Sequence, residues 1–317
     1  MEFAGGLRER VCQVTHQVSG RLSDRVELFR AFFLVSRPLR AVSGTDRGWS
    51  RGVFVTAARR RSGQLLARLQ TGLSIRDWDI LSDVNRFRLM TGNQLSQLHF
   101  QDSDTGQRTA RRTLSRLHER RILSRLARRV GGLRAGSDGY VYALGPVGDR
   151  LLREGRPRRR VREVSDGFAR HTLGIAQLHV DLVLASRLGG FTILTVETEP
   201  QCWRRVEGLG GYDWLKPDLA VVTASADQEV HSFVELDLGT EHRGALIRKL
   251  QAYEAAYRAG AEAHRRGLFP QVVWLVPDAA RLAALDRLIR TATGLTAELH
   301  RVVLIEQAVV ALTGAPP

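Results

Sequence analysis

Residues 216–253 read KPDLAVVTASADQEVHSFVELDLGTEHRGALIRKLQAY, and they decide the fold. KPDLAVV (216–222) and HSFVELDLGT (231–240) are short and apolar enough for buried strands. A helix is expected next, from about Arg243 to Ala259. Asp218 opens the first strand behind Pro217, and Glu235 lies seventeen residues later on the second, with Asp237 two beyond it. Period two puts Glu235 and Asp237 on one side of their strand. A hairpin that brings Asp218 alongside gathers three carboxylates at one end of a sheet.

Three carboxylates in one place repel each other unless a cation neutralises them. Hard oxygen ligands select Mg2+ or Mn2+, so Asp218, Glu235 and Asp237 are the candidate metal ligands of a centre that could hold a phosphate and activate water. Two lysines flank the acids. Lys216 precedes Asp218 by two residues, and Lys249 shares a helix face with Tyr253, four residues on. They are the chain's only lysines; its other forty-six basic residues are arginine. In a chain whose default cation is arginine, a retained lysine points to a task that needs a compact ammonium. Lys249 is the candidate catalytic cation, with Lys216 and Tyr253 as accessories.

Outward from this block, the pattern alternates. A helix is expected over Arg162–Leu188 and a strand over Phe191–Val196, then a loop rich in tryptophan and glycine. Beyond the block come strand QVVWLVP (271–277), helix Asp278–Ala292 and strand RVVLIEQ (301–307). The order is αβββαβαβ, an α/β or α+β sandwich around a mixed sheet.

The other half is basic. Residues 1–162 carry 33 arginines and 14 acids, a net of +19; residues 163–317 carry 15 basic residues and 19 acids, a net of −4. A helix over residues 75–89, capped by Ser74 or Asp77, would bury Ile75, Trp78, Ile80, Leu81, Val84 and Phe87. A short helix over 93–100, a polar turn at 102–106 and a third helix, QRTARRTLSRLHERRIL (107–123), follow. Residues 123–144 alternate as a hairpin. Helix, helix, basic helix, hairpin is the order of a winged helix-turn-helix, whose recognition helix enters the major groove of duplex DNA. Arg111 and Arg112 are the first candidates for base or phosphate contact. Arg108 and Thr109 stand near the helix start, which favours phosphate oxygens. Arg116 shares their face, and Arg128 and Arg129 lie on the wing.

The expected organisation is an arm over 1–63 or a translated leader, a winged helix over 64–153, a basic linker over 154–162 and the α/β domain over 163–317. Two cysteines, Cys12 and Cys202, cannot build a disulfide framework or a multi-cysteine zinc site. Apolar runs fall far short of the roughly 20 residues of a membrane span, and no secretory signal is expected. EGLGGYDW (207–214) lacks the lysine and hydroxyl residue of a P-loop. QLHVD (177–181) offers one histidine where a paired-histidine relaxase needs two; His179 could still border the acidic site. Glu197, Glu199 and Glu207 are candidates for a further carboxylate.

Pro217-Asp218 and Glu235-Leu236-Asp237 resemble the paired elements of the PD-(D/E)xK nuclease superfamily. Asp237 stands where that superfamily has lysine. In some members the lysine comes from the following helix, where Lys249 lies, and Lys249 with Tyr253 resembles the Q-x-x-x-Y helix motif with lysine for glutamine. From about Gln64 onward the chain also resembles the replication-relaxation family of actinobacterial plasmids and integrated elements, on RTARRTLSRLHERRIL (108–123) and VELDLGTEHRGALIRKLQAY (234–253). The resemblance implies a cytoplasmic, nucleoid- or plasmid-associated role in replication, relaxation or mobilisation. Duplex DNA would be the partner, alongside replication proteins or a second copy. Two readings follow: a Mg2+-dependent endonuclease, or a nuclease-like fold without the activity, needing no cofactor and serving DNA binding.

Overall fold

A computed structural model describes residues 66–126, 140–152, 165–208 and 211–314. The expected arm, the linker, and Arg128 and Arg129 lie outside these residues. The chain divides into two compact units, 1–71 and 72–317; residues 66–71 of the first are helical. Among the described residues no helix is long and apolar enough to cross a membrane.

The basic half of the second unit starts with helix α1 (Ile75–Phe87), opened by a capping box in which Ser74 and Asp77 satisfy each other's backbone N–H. Ile80, Leu81, Val84 and Phe87 are buried, but Ile75, expected on the same stripe, is 83% exposed. At 100° per residue Ile75 projects about 180° from Val84, on the far side of the helix. Strand β1 (Met90–Thr91) leads into α2 (Gly92–His99), capped by Thr91 and Gln94.

Helix α3 (Asp104–Glu119) starts three residues before the expected Gln107, because Ser103 caps it and accepts from Gly106 N–H. Polar capping sets that boundary, and the apolar period does not report it. Gly106 is required here: a Cβ would lie 2.0 Å from the Gln101 carbonyl oxygen. Arg108 and Thr109 consequently sit in the second turn, away from the free N–H groups of the helix start. The expected helical tail is also absent. Arg121 turns the chain with a φ of 57°, and Ile122 and Leu123 are buried. Strand β2 (Leu123–Arg125) pairs antiparallel with β3 (Val141–Leu144), and β3 pairs with β1, giving the order β1-β3-β2. Helix α4 (Pro146–Leu152) follows.

Helix α5 (Asp166–Arg187), capped by Ser165, serves both halves. Towards the basic half, Gln94 donates to the Leu173 carbonyl at 2.9 Å and Arg187 to the Gln97 carbonyl at 3.0 Å. Towards the sheet, Gly174 lies so close to the strand that ends at Leu236 that a Cβ would come within 2.6 Å of Leu236 Cδ2.

The central sheet has five strands: β4 (Thr192–Thr198), β7 (Leu219–Ala224), β8 (Glu229–Leu236), β9 (Gln271–Val276) and β10 (His300–Leu304). Their order is β10-β9-β8-β7-β4. The β8–β9 and β9–β10 pairs are parallel, while β7 runs antiparallel to both neighbours, so the sheet is mixed as expected. Between β4 and β7 the expected loop is a two-stranded ribbon, β5 (Arg204–Gly208) and β6 (Gly211–Leu215). Its glycines punctuate the hairpin turn, which is why glycine content alone read as loop.

Helices α6 (Arg243–Ala259) and α8 (Ala279–Thr291) cover one face of the sheet over Phe233, Val272 and Trp274; α7 (Ala261–Arg266) lies between them in sequence. The opposite face receives α5 and a terminal helix not expected from the sequence, α9 (Ala308–Thr313), whose Leu312 carbonyl accepts from Thr223 at 2.7 Å.

Candidate functional site

The two signature acids meet where β7 begins and β8 ends. The pairing of Leu219 with Val234 places Asp218 opposite Glu235 at the next step, and Asp218 N–H donates to the Val234 carbonyl at 3.1 Å. Odd-numbered positions of β8 face α6, so Glu235 points beneath that helix and is 1% exposed. One turn of α6 supplies both its donors. Lys249 Nζ lies 2.8 Å from Glu235 Oε2, and Tyr253 donates its hydroxyl to Oε1 at 2.6 Å. Lys249 also donates to Glu241 Oε1 at 2.6 Å.

Asp218 is held from two sides. Its Oδ2 accepts from Leu236 N–H at 2.8 Å, and its Oδ1 lies 3.1 Å from His171 Nε2. His171 comes from α5, one turn before Gly174, and reaches Asp218 because that glycine lets the helix sit against β8. Sequence reasoning assigned His171 no role. The signal available was its spacing of three residues from a glycine on a packed helix.

Burial dominates the electrostatics. It drives the Glu235 carboxyl well above its ordinary value, with the Asp218 charge adding to the effect and Lys249 opposing it. Burial disfavours the Lys249 ammonium, yet the charges of Glu235 and Asp218 hold its pKa above that of ordinary lysine. Burial and Glu235 raise the Tyr253 hydroxyl, so it remains a donor. Burial works against protonated His171, but its bond to Asp218 leaves its pKa raised.

Asp237, expected as the third carboxylate, is directed elsewhere. Strand β8 ends at Leu236, and Asp237 pairs through Oδ2 with Arg281 Nε of α8 at 2.7 Å and through Oδ1 with Gly239 N–H at 2.9 Å. Arg281 also donates to the Glu241 carbonyl, pinning the loop between β8 and α6. Asp237 is two residues beyond Glu235 and beside β9, whereas Asp218 lies on the β7 side. Among the described residues no group of three or more His, Cys, Asp or Glu is placed to hold a metal ion. The four carboxylate oxygens of Asp218 and Glu235 already accept from, or pair with, protein nitrogens and a hydroxyl. The arrangement does not fit Mg2+ or Mn2+ as it stands.

Other expected site residues are not at this cluster. His179 is buried against Phe87, ring centroids 4.8 Å apart, and burial with nearby Arg86 pushes its pKa down to about 4. The Lys216 ammonium lies 5.1 Å over the Trp203 ring. Glu197 pairs with Arg204 and Arg266, and Glu199 with Arg88.

The basic helix has its own geometry. Ala110, Leu114 and Leu117 of α3 are buried, while Arg108, Thr109, Arg111 and Arg112 are exposed. Arg108 and Thr109 bond back to the first turn of their own helix. Arg116, expected among the outward arginines, turns to Asp77 at 2.6 Å. Burial would raise the Asp77 carboxyl, but Arg116 and Ser74 hold it below the ordinary range. Arg125 of β2, not singled out from the sequence, stacks 4.3 Å over the exposed Tyr140 ring.

No curated protein and no solved structure matches the chain significantly. A family model does match, over residues 81–272. That span runs from α1 to the start of β9 and takes in α3, His171, Asp218, Glu235, Lys249 and Tyr253. Because the match covers more than half of its 317 residues, the chain belongs to the replication-relaxation family.

Proposed function

We propose that the chain is a DNA-binding protein of plasmid or mobile-element replication, relaxation or mobilisation, and that residues 75–144 grip duplex DNA as a winged helix-turn-helix. The observation that carries this reading is the division of α3 into a buried apolar face and an exposed face bearing Arg111 and Arg112. Supporting it, the turn between α2 and α3 is four residues, within the range of helix-turn-helix motifs, and β2 and β3 stand where a wing belongs. The +19 of residues 1–162 steers polyanions to that side. In this reading the α/β half, 163–317, has a nuclease-like layout without the activity and offers a platform for a second copy or for replication and mobilisation proteins in the cytoplasm. Full engagement of Asp218 and Glu235 by their own neighbours supports that inactive role.

A second reading, hydrolysis of DNA phosphodiesters, is favoured by Asp218 facing Glu235 beneath Lys249. It requires the carboxylates to exchange their present donors for a divalent cation. Supercoiled plasmid incubated with Mg2+ or Mn2+ separates the two. Nicking by wild type that Asp218→Ala and Glu235→Ala both abolish would establish the hydrolase and sink the inactive reading. For the DNA grip, Arg111→Ala with Arg112→Ala is expected to weaken duplex binding and reduce the salt slope by about 1.8, from two lost phosphate contacts. An unchanged slope would refute the assignment of α3.

A further inference from the structure

The ribbon β5–β6 presents an unusual face. Tyr212 is 58% and Trp214 46% exposed, although the strand ends on a buried Leu215. The register pairs Arg205 with Trp214 and Arg204 with Leu215. Period two then puts Arg205, Tyr212 and Trp214 on one face, and exposed Lys216 follows the end of β6. Val206 and Leu215, on the other, pack into the core under α6. On the outward face the Arg205 guanidinium lies 4.0 Å over the Tyr212 ring, and the Lys216 ammonium lies 5.1 Å over Trp203, which is half-buried against the core.

We propose that this face binds single-stranded DNA, with unpaired bases stacking on Tyr212 and Trp214 and the phosphates lying along Arg205 and Lys216. Aromatic rings alternating with cations along an exposed ribbon complement both parts of such a strand: base faces are apolar and polarisable, and its backbone is anionic. A duplex hides its base faces and cannot use the rings. Lys216 follows the ribbon two residues before Asp218, so a strand on this face runs towards the acidic cluster. This surface is separate from α3 and does not depend on how α3 meets duplex DNA.

The test titrates the full-length chain into a fluorescein-labelled single strand of roughly 16 nucleotides, its duplex, and an abasic strand of the same length. Tyr212→Ala and Trp214→Ala are each expected to weaken single-strand binding by roughly 5- to 150-fold and leave the duplex unaffected. Trp214→Phe keeps most of the affinity, and the abasic strand binds weakly to wild type. Independently of variant folding, the fluorescence contributed by Trp214, read against Trp214→Phe, is quenched by the single strand and not by the abasic one. Single-strand affinity that survives both alanine substitutions, equal binding of the abasic strand, or unquenched Trp214 overturns the proposal. So does self-association that Trp214→Ala abolishes while single-strand binding stays intact, which makes the face a contact between copies. Failure of duplex binding to respond to Arg111 and Arg112 bears on the α3 reading alone.

Discussion

Replacing Lys249 by methionine removes the cation from Glu235 while keeping most of the stem volume. Glu235 is 1% exposed and retains only the Tyr253 hydroxyl at 2.6 Å. Breaking a buried pair from one side costs about 3–5 kcal/mol. Lys249 is one-third exposed, so water reaching the vacated position takes the lower end of that range. The loss also has a ceiling, because Glu235 can escape its buried charge by taking a proton. Protonating a folded carboxyl costs about 1.4 kcal/mol for each pH unit above its folded value, and burial has already raised Glu235 to about 8 in wild type. The ceiling is therefore close to zero below pH 8 and about 1.4 kcal/mol at pH 9.

The sign follows from linkage. A carboxyl whose folded pKa is raised contributes stability that is complete below its unfolded value and lost as pH rises through the folded one. Lys249→Met raises Glu235 further, so the variant goes on losing stability above about pH 8, where the wild-type loss levels off. His171 is also raised through its bond to Asp218, and comparing the proteins in a His171→Gln background removes its contribution. Urea denaturation is expected to give a destabilisation that is about 1 kcal/mol larger at pH 9 than at pH 7. Adding Glu235→Gln should recover much of the loss at the higher pH. Equal destabilisation at both pH values, or none, would refute the claim that Lys249 holds a buried charge in place.

Arg116→Ala is expected to lower stability by about 1–3 kcal/mol by stranding buried Asp77, and to leave the salt slope of duplex binding unchanged, as denaturation and fluorescence anisotropy would report. A slope that falls by about one would return Arg116 to the DNA face. Gly174→Val should cost about 1–3 kcal/mol through overpacking against Leu236, with part of it restored by Leu236→Ala; additive losses would disprove the contact.

The sequence made the strands and their acids legible because buried β-branched runs and a Pro-Asp step are local signals. Ser74 and the α6 pair Lys249 and Tyr253 were legible for the same reason: caps and four-residue spacings act within one helix. Asp237 was misplaced because period two fixes the side of a strand but not which neighbour a side chain turns to. Arg281 lies forty-four residues away, and only the parallel β8–β9 crossover brings it near. His171 was missed as a partner of Asp218 for a similar reason, since α5 belongs to the opposite face and reaches the sheet end only through Gly174. Arg116 illustrates a different limit. Its position on α3 reads as solvent-facing until α1 packs beside it with a buried aspartate.

The retained lysines acquire unequal meanings from this geometry. Lys249 divides one ammonium between Glu235 at 2.8 Å and Glu241 at 2.6 Å. A tetrahedral donor can address two carboxylates in different directions at that range, whereas a planar guanidinium matches one carboxylate side by side and is bulkier beneath a helix. Arginine at 249 would therefore have to displace either Tyr253 or the Glu241 loop, which explains lysine in a chain otherwise built with arginine. Lys216 lies over Trp203, a contact that arginine makes equally well, so packing alone gives no reason for lysine there. Its exposed place just past the ribbon, between the exposed rings and Asp218 in the chain, is where a mobile point charge following a flexible phosphate chain would be of use.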